Sequence, residues 1–136
     1  MKEFVLYDEV LELKDLGFDE PCLGYYAADI LCTGQPREIQ LDEDGNYKKS
    51  KTESFPIIVA PTYSQAFRWF REKYRLKGEI DTADMIWSKW SFNIELKGSS
   101  YILYSGLTEK IYFNSYEEAE LECLKKLIEI VKEKQL

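Results

Sequence analysis

Histidine is absent from this 136-residue sequence. That removes the commonest zinc ligand, the usual general base near neutrality, and every Ser–His or Cys–His nucleophile arrangement. Cysteine is scarce: Cys22, Cys32 and Cys123 are an odd number, and no two stand at a metal-ligand spacing such as C-x2-C. Reduced thiols are therefore expected, with no metal site and no disulfide framework. Cys22 has Asp19 and Glu20 for neighbours and none of the positive charge that activates a thiol, which argues against a nucleophile there. No apolar run approaches the ~20 residues of a membrane span. The opening MKEFVLYDEV shows neither a basic segment leading into an apolar one nor a cleavage site, so a cytoplasmic location without membrane association is expected. A Gly-rich phosphate loop and a G-x-S-x-G elbow are both missing, which lowers the case for an enzyme; no cofactor and no catalytic residue are expected. Positive charge is in deficit as well, with 25 acidic residues against 18 basic and a net charge of −7. A field of that sign repels polyanions, so tight general nucleic-acid binding is not expected.

What is present is a chain rich in aromatic residues, with ten Tyr, seven Phe and three Trp, a composition that builds a core and excludes a disordered tail. Its length suits a single domain spanning 1–136 that buries about two-thirds of its unfolded surface without a staple. The most legible stretch is Thr62 to Leu76, TYSQAFRWFREKYRL. Thr62 with Gln65 forms a capping-box pattern after Pro61. Tyr63, Ala66, Phe67, Phe70 and Tyr74 then recur at the spacing of a helix laid on a core. Trp69 and Leu76 make a second, smaller apolar flank, and Arg68, Arg71 and Arg75 share another face.

In chain order, Tyr7 to Leu16 reads as a helix with Tyr7, Val10, Leu11 and Leu13 inward, acids in its first turn, no good N-cap at Leu6, and Gly17 as its stop. Cys22 to Cys32 reads as one strand. Residues 34–54 form a polar excursion, in which Asp44-Gly45 is a hairpin signal between REIQL and NYKKSK. Phe55 to Val59 is a short strand. Lys77 to Asp84 reads as a connection. Trp87 to Lys97 alternates Trp90, Phe92, Ile94 and Leu96 with Ser91, Asn93, Glu95 and Lys97, a strand with one wet face. Tyr101 to Tyr104 and Ile111 to Phe113 complete an expected antiparallel meander. Ser115 with Glu118 is a second capping box, opening a helix from Tyr116 to about Lys134. Its apolar residues cover too wide an arc for a helix that only lies on a surface, so it is expected between layers. The segregated order predicts an α+β fold, with an antiparallel sheet of about four to five strands packed with three helices.

Two sets of residues invite a chemical reading. Arg68, Arg71 and Arg75 are either a fork for phosphate or carboxylate groups, or a solvated face paired with the chain's own acids. Glu120 interrupts the apolar arc of the last helix; it is either an acid of raised pKa or a structural carboxylate that escapes to water at the first turn or is held by an arginine of the central helix. The arginine pairing, with a depressed pKa, is the expectation taken here. Trp69 and Trp87 are candidate surface aromatics. Trp87, Trp90, Tyr101 and Tyr104 are either a stacking platform or, as strand aromatics usually are, core.

Three blocks, LGFDEPCLGYY (16–26), APTYSQAFRWFREKY (60–74) and SYEEAELECLKKLIEIVKEK (115–134), resemble a group of small uncharacterised proteins of phages, prophages and related mobile elements of gut bacteria. The resemblance spans about a third of the chain in three ordered pieces. It implies a genomic setting and transfers no site. The expected role is a non-enzymatic accessory module that binds a host or phage protein. The alternative is a nucleic-acid-associated factor using the Arg68/Arg71/Arg75 face.

Overall fold

A computed structural model describes residues 3–33, 46–48, 54–83, 86–99 and 101–134. The chain divides into two compact units, Met1–Thr62 and Tyr63–Leu136.

The first unit opens with α1 (Tyr7–Asp15), whose N-cap Leu6 provides no side-chain cap. The helix holds because Val10 and Leu13 are buried, while Asp8 and Glu9 stand at the positive end of its dipole. Gly17, at φ +98°, ends it in the left-handed region, and Phe18 returns its N–H to Leu13 at 2.9 Å. Strands β1 (Gly24–Ala27), β2 (Ile30–Thr33), β3 (Asn46–Lys48) and β4 (Ser54–Ala60) form an antiparallel sheet in the order β2-β1-β4-β3. The single strand expected over Cys22–Cys32 is instead a hairpin that turns at Ala28-Asp29, with Ala28 at φ +56°. No glycine or asparagine marks that turn, so the sequence read straight through it. Tyr26 anchors the unit: its hydroxyl donates to the Val5 carbonyl at 2.8 Å and its ring takes Tyr7 edge-on at 5.3 Å. Of the polar excursion near 34–54, Asn46–Lys48 pairs with Ser54–Pro56; the Asp44-Gly45 turn and REIQL lie outside the described residues.

The second unit comprises α2 (Tyr63–Tyr74), β5 (Leu76–Ala83), β6 (Ile86–Leu96), β7 (Ile102–Ser105) and α3 (Tyr116–Lys134). Its sheet is the antiparallel meander β5-β6-β7. The meander was expected, and β6 and β7 are two of its expected strands; the third differs. Lys77–Asp84, read as a connection, is mostly β5, and Ile111–Phe113 reduces to one bridge between Trp90 and Phe113. LKGEIDTA hides its strand because Gly78 replaces an apolar side chain on the face that α3 covers: a β-carbon there would stand 2.8 Å from the Cys123 Sγ. The strands thus form two sheets of four and three, in place of one sheet of about four to five. Register and turns, which periodicity does not specify, make that division.

Helix α3 begins where its capping pattern predicts. The Ser115 Oγ accepts the Glu118 N–H at 3.1 Å, and the Glu118 carboxylate accepts the Asn114 N–H at 3.2 Å. Its buried residues Ala119, Cys123, Leu124, Leu127, Ile128, Ile130 and Val131 serve β5 and β6 on one side and α2 on another. Phe67 and Phe70 of α2 are buried with them. The expected wet face of β6 is dry at Ser91, which is 2% exposed and donates to the Ile111 carbonyl at 3.0 Å, beneath the turn 106–110.

Candidate functional site

The apolar stripe of α2 fixes where its cations go. Tyr63, Ala66, Phe67, Trp69 and Phe70 are buried, which leaves Arg68 and Arg75 exposed and Arg71 half-buried. After Tyr74 the chain leaves the helix through Arg75 at φ +58°, and β5 starts at once with Leu76 paired to Leu96. That pairing brings the turn after β6 to the end of α2, where the Lys97 N–H donates to the Arg75 carbonyl at 2.7 Å. Gly98, at φ +82°, carries the turn, and the Ser99 N–H returns to the Leu96 carbonyl at 3.1 Å.

The result is an open cleft of about 510 Å³ lined by Arg71, Lys77, Glu95, Leu96, Lys97, Gly98 and Ser99. A second cleft of about 330 Å³, lined by Arg71, Glu72, Arg75, Lys97 and Gly98, shares three of these residues. Four cations face two carboxylates in this region of a chain whose net charge is −7. The Lys77 Nζ lies 2.7 Å from the Glu79 Oε1. Hydrogen bonding to Glu79 and its charge raise the Lys77 pKa, with a further push from Glu95, while desolvation and the like charge of Arg71 oppose them. Arg71, Arg75 and Lys97 make no ion pair among the described residues. Such a site offers hydrogen-bond donors and positive charge to an anion. The sequence placed Arg71 and Arg75 on one face; Lys77 and Lys97 arrive from β5 and from the turn after β6, and only the Leu76–Leu96 register reveals them. Arg68 is on neither lining.

Glu120 departs from expectation. No arginine pairs with it among the described residues. Burial, and next the neighbouring Glu117, raise its pKa to about 7, where a depressed value was expected. Of the arginines expected to be candidates for that pairing, Arg71 and Arg75 line the clefts at the C-terminal end of α2. The Cys123 thiol, one turn on, is pushed up by burial and by Glu120, so it stays protonated and inert. Trp69, expected at the surface, is 5% exposed: Phe70 and Tyr74 meet its ring edge-on and the Lys73 ammonium stands 5.1 Å from its centroid. Its flank of α2 is covered, so it offers no stacking surface. The side chain of Trp87 lies outside the described residues. Trp90 meets Tyr116 edge-on and Tyr104 stacks on Phe92 at 5.0 Å, so both rings serve packing; among the described side chains of the proposed platform, Tyr101 stands well exposed.

A second surface was not foreseen. Strand β7 forms one edge of its sheet. Tyr101–Ser105 carries no charge and no proline, and Tyr101 and Ile102 are 63% and 51% exposed. The opposite edge, β5, carries Lys77, Glu79 and Asp81. Exposed Leu96, Ile111, Tyr112 and Tyr116 belong to the segments on either side of β7. The uncharged YILYS run was the available signal. No helix among the described residues is long and apolar enough to cross a membrane, and none of their His, Cys, Asp and Glu residues group to hold a metal ion. No family model, no curated protein and no solved structure matches this chain.

Proposed function

We propose that this chain is a protein-binding accessory module that recognises its partner by strand addition at β7. The observation that carries the reading is the contrast between the two edges of the β5-β6-β7 sheet. Open edges invite pairing with other chains, and proteins blunt them with charge, proline or bulges. Edge β5 is charged at alternate positions, whereas Tyr101–Ser105 has no charge at all and keeps two large apolar side chains in water. A register shift between Ile94 and Glu95 blunts that side in part, and the Lys126 ammonium stands 5.2 Å from the Tyr104 ring. A partner strand laid along Ile102–Ser105 gains main-chain hydrogen bonds, and its side chains cover Tyr101 and Ile102. The role is non-enzymatic, in the cytoplasm, on a host protein or one encoded by the same element. The resemblance of the three sequence blocks to phage and mobile-element proteins supports that setting.

The second reading, association with nucleic acid through Arg68, Arg71 and Arg75, is favoured by the cations gathered at the end of α2 and opposed by the net charge of −7. Affinity capture from cells carrying the element tests the first reading, with the parent beside Ile102→Lys and Arg71→Gln. A partner held by the parent and by Arg71→Gln but lost with Ile102→Lys supports strand addition. A partner retained by Ile102→Lys overturns it.

A further inference from the structure

Independently of the edge strand, the geometry points to an anion site at the C-terminal end of α2, built by Arg71, Arg75 and Lys97 around Gly98 and suited to a small phosphate-bearing molecule. Three observations converge on it. The first is composition: two adjoining clefts, of about 510 and 330 Å³, share Arg71, Lys97 and Gly98, and their four cations outnumber their two carboxylates, Glu72 and Glu95. The larger volume lies in the range of ligand-binding clefts. The second is the lack of internal neutralisation. Lys77 has Glu79, but Arg71, Arg75 and Lys97 have no carboxylate partner among the described residues, and Arg71 and Lys77 are near enough to repel. In a chain with a surplus of acids, cations left unpaired beside one another are satisfied by a ligand that brings its own negative charge.

The third observation is backbone conformation. Arg75 occupies the left-handed region at φ +58°, at the position just past a helix where glycine is usual. A bulky side chain is disfavoured there, and such a conformation persists where its surroundings hold it, as the Lys97 N–H on the Arg75 carbonyl does here. Holding Arg75 in this conformation puts a guanidinium on the smaller cleft, beside Arg71 and Lys97. The planar forks of two arginines match phosphate oxygens, and Lys97 adds a compact charge. A nucleic-acid track would need cations beyond the cleft, and Arg68, the remaining arginine of the stripe, lines neither cleft. The site therefore suits one discrete, multiply charged group.

Calorimetric titration of the full chain with pyrophosphate and with inorganic phosphate, in chloride buffer at low salt and at about 0.15 M, is the test. The expected result is one saturable site, tighter for pyrophosphate than for phosphate. Arg71→Gln and the exposed Lys97→Gln should each weaken it by about tenfold or more, as expected for losing one charge-assisted contact. Arg68→Gln should leave it unchanged. Melting curves without ligand show whether each variant is folded, and Lys97→Gln carries the result if Arg71→Gln is not. Absence of saturable binding overturns the proposal, as does equal loss in Arg68→Gln. Submicromolar binding of a labelled oligonucleotide that depends on Arg68 as much as on Arg71 also overturns it, in favour of an extended nucleic-acid surface.

Discussion

Gly78 on β5 faces Cys123 on α3 so closely that a β-carbon on the glycine would stand 2.8 Å from the Cys123 Sγ and 3.4 Å from a Leu127 methyl. The absence of a side chain at one strand position lets the longest helix of the second unit approach its sheet. Both neighbours are fully buried and have little room to move. Gly78→Ala should therefore lower stability by about 1–3 kcal/mol, the usual cost of overpacking, although alanine is otherwise the better strand residue. Cys123→Ala removes the atom in the way. The double variant should lose less than the sum of the single losses, with a coupling of about 1 kcal/mol. Additive losses in a denaturant-unfolding cycle would show that the two residues do not conflict.

Phe70 is wholly buried in α2, with Trp69 edge-on at 5.1 Å and Tyr74 tilted at 6.0 Å. Phe70→Ala should cost about 3–5 kcal/mol, the range for emptying an aromatic site that cannot collapse. A melting temperature within a degree or two of the parent's would contradict this.

The folded-state pKa of Glu120 is about 7, above its ordinary 4.5, because burial, then Glu117, disfavour the carboxylate. The folded state thus holds the proton more tightly than the unfolded state. The favourable contribution is complete below about pH 4.5 and is lost as pH rises to about 7. The charged form then costs about 1 kcal/mol, once water around a half-buried carboxylate has screened the effect. Glu120→Gln should flatten this slope, melting a few degrees above the parent at pH 7.5 and level with it near pH 4. A variant that loses stability at pH 7.5 would show that the carboxylate has a partner after all.

The legible parts of the sequence were those written in local code. The Ser115 and Glu118 caps, the Gly17 stop and the apolar spacing of α2 and α3 each act within a few residues, and each element they define is in place. Three features were not local. The Ala28-Asp29 turn uses a residue with no turn preference, and Gly78 is a strand residue chosen for the helix above it. The cleft depends on Leu76 pairing with Leu96, which sets Lys77 beside Glu95 in register and Lys97 beside Arg75. Arg71 and Arg75 were visible as a pair on a helix face. Their companions Lys77 and Lys97 become neighbours only through strand register, and whether an arginine of the central helix reaches Glu120 depends on how the two helices pack, which helical spacing does not specify.

Arg75 brings local strain and the anion site into a single measurement. At φ +58° it occupies a conformation that costs an L-residue roughly 1 kcal/mol and costs glycine little. Its carbonyl accepts the Lys97 N–H at 2.7 Å, a backbone contact that any residue preserves. Arg75→Gly should therefore keep the turn and relieve the strain. It should raise stability by about 0.5 kcal/mol after the extra freedom glycine gives the unfolded chain is deducted. The same change removes one guanidinium from the cleft, so pyrophosphate affinity should fall by about tenfold while the protein melts slightly higher. Arg75→Lys restores the charge without the fork and should recover part of the affinity with none of the added stability. Opposite movement of melting temperature and affinity in Arg75→Gly is the signature of a residue kept for its ligand. A fall in both would assign Arg75 to structure, and unchanged affinity would remove it from the site.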